Sequence, residues 1–204
     1  MKSPATCALT CCALLILSPV LMGQVFEVGM HGGASRIQGK DIGTLQVGPV
    51  GPSNPNVTLE NGWRIGFRVT VNNWTHFGHE FGYAYNRTQF RVQDRPPTDY
   101  GTAIHQGFYD FLAYARAEGS RVRPFLAGGG HFSNFIWPGG SVTYGGGDSK
   151  FGVNYGGGIK IRLTPIWGIR FDVREYYTGK PFDLPNADGN MRHQEFSAGF
   201  SLMI

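Results

Sequence analysis

The sequence has little of what usually staples an exported domain together. Of its 204 residues three are cysteine, and Cys7, Cys11 and Cys12 all fall within the first dozen. Everything after them must be held by packing and backbone pairing, because no disulfide framework can form. Charge is also sparse. Only 16% of residues are charged, and the net charge of +4 is scattered along the chain, which excludes a nucleic-acid partner. The apolar stretch from Ala8 to Gly23 contains Pro19 and is too short for a membrane anchor helix. It follows a single basic residue, Lys2, and ends in small residues. Residues 1–23 therefore read as a secretory signal, cut after Leu21-Met22-Gly23. Residues 24–204 form one domain. The six histidines His31, His76, His79, His105, His131 and His193 show no metal-ligand spacing with carboxylates or thiols. No metal and no cofactor are expected.

Glycine and aromatic residues are abundant instead. The 31 glycines argue against a helical bundle, since each interior glycine weakens a helix by roughly 1 kcal/mol. The 14% aromatic content argues against disorder. A strict period of two then runs through the chain. Trp63, Ile65, Phe67, Val69 and Val71 alternate with Arg64, Gly66, Arg68 and Thr70. The same device recurs over Phe151–Leu163, Trp167–Val173 and Phe196–Ile204, and more weakly at Phe26–Met30 and Phe81–Tyr85. A strand sorts such residues onto two faces, whereas a helix scatters them. Segments 104–117 and 124–132 complete eight strands, with their facing unassigned.

The connections alternate long and short: 36–61 long, 72–76 short, 91–101 long, 118–123 short, 133–149 long, 164–166 short, 178–190 long. That pattern predicts an all-β, eight-stranded antiparallel up-and-down transmembrane β-barrel with short periplasmic turns, four outer loops and both termini in the periplasm. Segment 36–61, with Pro49, Pro52 and Pro55, reads as an exposed irregular loop. Trp74 and Trp167 fall at short turns, Trp63 and Trp137 at long loops, as an aromatic girdle would place them.

The facing follows from the residue types. The apolar face is rich in Trp, Phe, Tyr, Ile and Val, and the other face in glycine. Small residues suit the crowded lumen of an eight-stranded barrel, so the reading is lipid-out and polar-in. On the inward face stand five acids, Glu27, Glu80, Asp110, Asp172 and Glu195. Six bases accompany them: Arg64, Arg68, Lys160, Arg162, Arg170 and Arg174. Buried charges left alone are costly, so these groups are expected to pair across the lumen. Arg162, Arg174 and Glu195 are placed nearer strand ends. The network reads as structural fill, with a narrow solute or ion pore as the alternative.

These features resemble the outer-membrane β-barrel domain family, the small eight-stranded barrels related to the OmpA transmembrane domain and OmpX. The resemblance covers about Val25 to Ile204. It is carried by Gly62-Trp63-Arg64-Ile65-Gly66-Phe67-Arg68, Phe81-Gly82-Tyr83-Ala84-Tyr85-Asn86 and Arg123-Pro124-Phe125-Leu126-Ala127-Gly128-Gly129-Gly130. Tyr155-Gly156-Gly157-Gly158-Ile159-Lys160 and Arg170-Phe171-Asp172-Val173-Arg174 complete it. Ser197, Gly199, Leu202 and Ile204 resemble the C-terminal signal read by the barrel-assembly machinery, although the family usually ends in an aromatic residue. The resemblance implies an outer-membrane location and partners among outer-membrane lipids, lipopolysaccharide and an unidentified loop ligand.

His131-Phe132-Ser133-Asn134 also resembles the His-x-Ser-Asn element of PagL-type lipid A deacylases. Residues i and i+2 of a strand share a face, so His131 could activate Ser133. The orienting glutamate of that family is missing: the only acid in 135–151 is Asp148. The expected role is therefore structural or interactive, with the deacylase as an alternative.

Overall fold

The computed structural model describes residues 25–45, 54–140 and 147–204. The segment read as a signal and the prolines Pro49 and Pro52 lie outside the described residues. Ten strands follow one another: β1 (Val25–Gln38), β2 (Asp41–Thr44), β3 (Asn56–Leu59), β4 (Gly62–Trp74) and β5 (Phe77–Val92). After them come β6 (Thr98–Tyr114), β7 (Val122–Ile136), β8 (Gly147–Arg162), β9 (Trp167–Gly179) and β10 (Asn190–Met203). Each of the eight long strands pairs antiparallel with its neighbour in the chain. β1 closes the ring by pairing with both β4 and β10. Backbone hydrogen bonds between Phe26 and Ile204 extend that seam to the last residue. The result is a closed eight-stranded antiparallel barrel, which leaves the long strands no open edge.

The period-two pattern maps onto the wall. Phe67, Phe171 and Phe200 point outward and are about half exposed, at 52%, 50% and 52%, while Arg64, Arg68, Arg170 and Asp172 point inward and are buried. The two segments of unassigned facing are also sorted. On β6 the even-numbered residues from Thr102 to Tyr114 face inward, and on β7 the odd-numbered ones do, from Arg123 to Phe135. On β7 three consecutive glycines, Gly128 to Gly130, blur that phase. Gly129 stands where a Cβ would run into the Tyr109 carbonyl, so no larger residue fits its inward position.

Three expectations need correction. The connection 36–61 is not wholly irregular. β1 runs on to Gln38, and β2 and β3 form a small extension that pairs with β5 from Val57–Val92 to Leu59–Phe90. Ile42, Val57 and Leu59 are fully buried there, so apolar burial orders the segment. Long and short connections do not strictly alternate either. β5 and β6 stay paired to Val92–Thr98 and leave only 93–97, while the opposite connection 115–121 is longer. Finally, Trp137 does not join a girdle. It packs inward against Phe182 at 4.0 Å between ring centres and against Phe90 at 5.8 Å. Trp63, Trp74 and Trp167 are exposed on the outside of the wall.

Trp137 belongs to an apolar cluster that fills the loop end of the barrel, built on Ile37, Ile42, Leu59, Phe90, Phe135 and Met191. Phe182, from the turn Pro181–Asp183 between β9 and β10, closes it. Around the rim of this cap, Lys40 contacts Glu60 at 2.5 Å and Arg91 contacts Asp99 at 2.6 Å. The Lys40 hydrogen bond holds the Glu60 carboxyl below the usual carboxylate range. Phe182→Ala is expected to free the segment 180–189. Limited proteolysis of the folded protein should then cut there several times faster, while the boiling-dependent gel mobility of the barrel stays unchanged.

Candidate functional site: the charged barrel interior

Cross-strand register places like-charged pairs face to face in the interior, against one opposite-charged pair, Glu195 with Arg174. Glu80 on β5 lies directly opposite Asp110 on β6, and Lys160 on β8 directly opposite Arg170 on β9. Like charges facing each other on adjacent strands destabilise a sheet. Each group must therefore find its counter-ion across the lumen, and each does.

The central layer gathers on Glu80. It accepts hydrogen bonds from Arg170 Nη1 at 2.5 Å, Arg174 Nη2 at 2.5 Å and Thr70 Oγ1 at 2.8 Å. Arg174 also donates to Asp110, so one guanidinium bridges the two facing carboxylates. Asp172 accepts from Arg68 at 2.9 Å and from Arg170 at 2.8 Å. Below this layer, Lys160 donates to Glu27 at 2.7 Å and to the Tyr114 hydroxyl at 3.0 Å. Above it, Glu195 lies 3.1 Å from Arg64 and accepts from Tyr176 at 2.9 Å and Ser197 at 2.5 Å. Glu80, Arg174 and Glu195 are at most 1% exposed. Arg174 and Glu195 thus stand deep in the lumen rather than near strand ends. The reason is that β9 and β10 run well past them, to Gly179 and back from Asn190.

Arg162 is the base that does stand at a mouth. It contacts Glu118 of the turn-end connection 115–121 at 3.3 Å, with both side chains partly exposed. Arg123 shares Glu118 and lies 3.7 Å above the Tyr114 ring. Sequence reasoning missed this arginine because it placed residues 118–123 in a turn, whereas β7 begins at Val122. Its spacing from Phe125 and Ala127, both inward, was the available signal.

His131 and Ser133 share the inner face, as their spacing required, yet they do not engage each other. The Ser133 hydroxyl accepts from Gln106 Nε2 at 3.1 Å, and neither His131 nitrogen has a hydrogen-bond partner among the described residues. The imidazole instead stands edge-on to Tyr176 at 5.1 Å. Asp148 accepts from the Phe182 backbone amide and so serves the cap. A nucleophile on the inner face is also separated by the wall from any lipid acyl group. At the C-terminal end, Ser197 is buried inside, Leu202 pairs with Val28 of β1, and Gly199 pairs with His31.

A family model described as the outer membrane protein beta-barrel domain matches residues 10–203. No curated protein matches the chain in sequence. Among solved structures, the chain is similar to the outer membrane protein OprG from Pseudomonas aeruginosa, with 13% identity and a TM-score of 0.59 over 87% of this chain and 95% of that one. It is similar to Neisserial surface protein A, with 17% identity and a TM-score of 0.56 over 87% and 96%. It is also similar to the N-terminal β-barrel domain of Pseudomonas aeruginosa OprF, with 11% identity and a TM-score of 0.52 over 88% and 97%.

Proposed function

Because the chain belongs to the outer membrane protein beta-barrel domain family, we propose that it is an outer-membrane barrel plugged by its own side chains, acting through the four connections at its loop end. The loop end faces outward and both termini face the periplasm, as short periplasmic turns demand. The observation that carries this reading is the bridging of Glu80 and Asp110 by Arg174 across the lumen. A polar interior in which every charge is bound to another resists both solvent and solute, because breaking one pair strands a buried charge. The apolar cap adds a second closure above it. His131 and Ser133 have no catalytic part in this reading, since they lie inside the wall. What remains to act is the outer surface, where such barrels present loops on a rigid scaffold.

Planar-bilayer recording of the refolded protein tests the plug. The expected trace has no sustained conductance steps, and regular steps from the wild-type chain would replace the plug with a pore. Analysis of lipid A from cells with and without the protein should show the same acyl pattern, and loss of one acyl chain would restore the enzyme reading.

A further inference from the structure

On the lipid-facing surface of β5–β7 two hollows lie one above the other. The lower is an apolar groove of about 470 Å³ walled by Phe81, Tyr109, Phe132 and Phe151. Gly130 stands on the outward face there and leaves that part of its floor without a side chain, while the Phe132 ring lies over Gly107. The upper is a cavity of about 520 Å³ lined by Tyr85, Arg87, Gly101, His105 and Trp137. A Cβ on Gly101 would collide with the Arg87 guanidinium, so that glycine lets the arginine lie flat against β6.

The height of Arg87 is fixed in two independent ways. It stands ten residues along β5 from Phe77 at the turn end. At about 3.3 Å per residue and a tilt near 40°, that is about 25 Å, the height of the apolar band of such barrels. The outward face of β5 also changes character at this residue: Phe81, Tyr83 and Tyr85 give way to Arg87, Gln89 and Arg91, while Phe90 turns inward. Arg36 on β1 and Arg192 on β10 mark the same boundary, ten residues from Phe26 and Leu202. Arg192 is occupied by Glu175 at 2.7 Å. Arg87 has no carboxylate within ion-pair distance, and all fourteen acids of the chain are among the described residues. Its fixed charge and planar donors suit a phosphate.

We propose that this face holds one phosphorylated glycolipid of the outer leaflet, its sugar-linked phosphate on Arg87 and one acyl chain in the glycine-floored groove. Tyr85 and His105 offer rings to the sugar. The inference rests on the loop end facing the outer leaflet, but its test in detergent does not depend on orientation. Protease access to the loops on intact cells reports orientation separately.

The probes are diphosphorylated lipid A, the same lipid with its phosphates removed, and inorganic phosphate, read by native mass spectrometry of the full chain in detergent. The wild-type protein should bind the diphosphorylated lipid at least tenfold more tightly than the dephosphorylated one. Arg87→Gln should lose about tenfold, the scale of one charge-assisted contact. Arg116→Gln at the turn end should change nothing. Gly130→Leu fills the groove from a position with room for its Cβ, and should weaken the lipid severalfold. Boiling-dependent gel mobility verifies that each variant folds; should Gly130→Leu fail, Arg87→Gln decides alone. Equal binding of the two lipids, or an unaltered Arg87→Gln, overturns the proposal. Full competition by millimolar inorganic phosphate would also overturn it, by reducing the site to a simple anion contact.

Discussion

Replacing Glu80 by alanine is expected to lower the stability of the barrel by about 3–5 kcal/mol, the scale for removing one partner of a buried ion pair. The reason lies in what stays behind. Arg170 and Arg174 both donate to this carboxylate at 2.5 Å, and neither can reach water. Asp172 contacts both guanidiniums, at 2.8 Å and 3.3 Å, but it also serves Arg68 at 2.9 Å. Even with Asp110 on Arg174, two carboxylates are left among three guanidiniums, and Arg170 loses its partner across the lumen. The measurement is urea-dependent unfolding in detergent or lipid, followed by the loss of boiling-dependent gel mobility. A paired change, Glu80→Leu with Arg170→Met, removes one charge of each sign, leaves Arg174 on Asp110 and Arg68 on Asp172, and should recover much of the loss, because well-packed apolar groups can replace a buried pair. A small effect of Glu80→Ala alone would mean that solvent enters the central layer, contrary to the plug.

The second large effect concerns the outer surface. Phe171→Arg is expected to destabilise the folded barrel by roughly 2–4 kcal/mol in a bilayer, the depth-dependent cost of a lipid-facing arginine near the midplane. Phe171 lies midway along β9 between Trp167 at the turn end and Tyr177 near the loop end, and is half exposed on the outer face. The matched substitution Trp167→Arg, at the interface, should cost no more than about 1 kcal/mol from its charge. Reversible unfolding from lipid vesicles compares the two. Equal effects would mean that the aromatic face does not meet hydrocarbon at these depths, and the lipid-out assignment would fail with them.

Much of the molecule was legible because a strand has a period of two. Arg64 and Arg68 beside Ile65 and Phe67, or Asp172 and Arg174 beside Phe171 and Val173, declare their faces without further help. The phase failed where the polarity contrast was weak, in β6 from Ile104 onward and at Gly128–Gly130 of β7, and with it went the inward placement of Phe125 and His131. The outer end misled for a different reason. Above the headgroup level water replaces lipid outside the wall, so the same strand must turn polar outward and apolar inward. Along β5 that change comes with no break in register: Phe81 faces out and Phe90 faces in. A reading that assigns one polarity to each face takes the segment from Asn56 to Leu59 for a loop and Trp137 for an interfacial ring. Both are parts of a buried cap.

By itself the sequence determined that the chain forms strands, that the strands number eight in the wall, and which side chains share a face, since each is a matter of local spacing. The tertiary structure alone decided who meets whom. Glu80 and Arg174 are 94 positions apart, and only the stagger at which the barrel closes brings them to 2.5 Å. Local periodicity carries no information about that stagger, because sliding a strand by two residues preserves every face and changes every partner across the lumen.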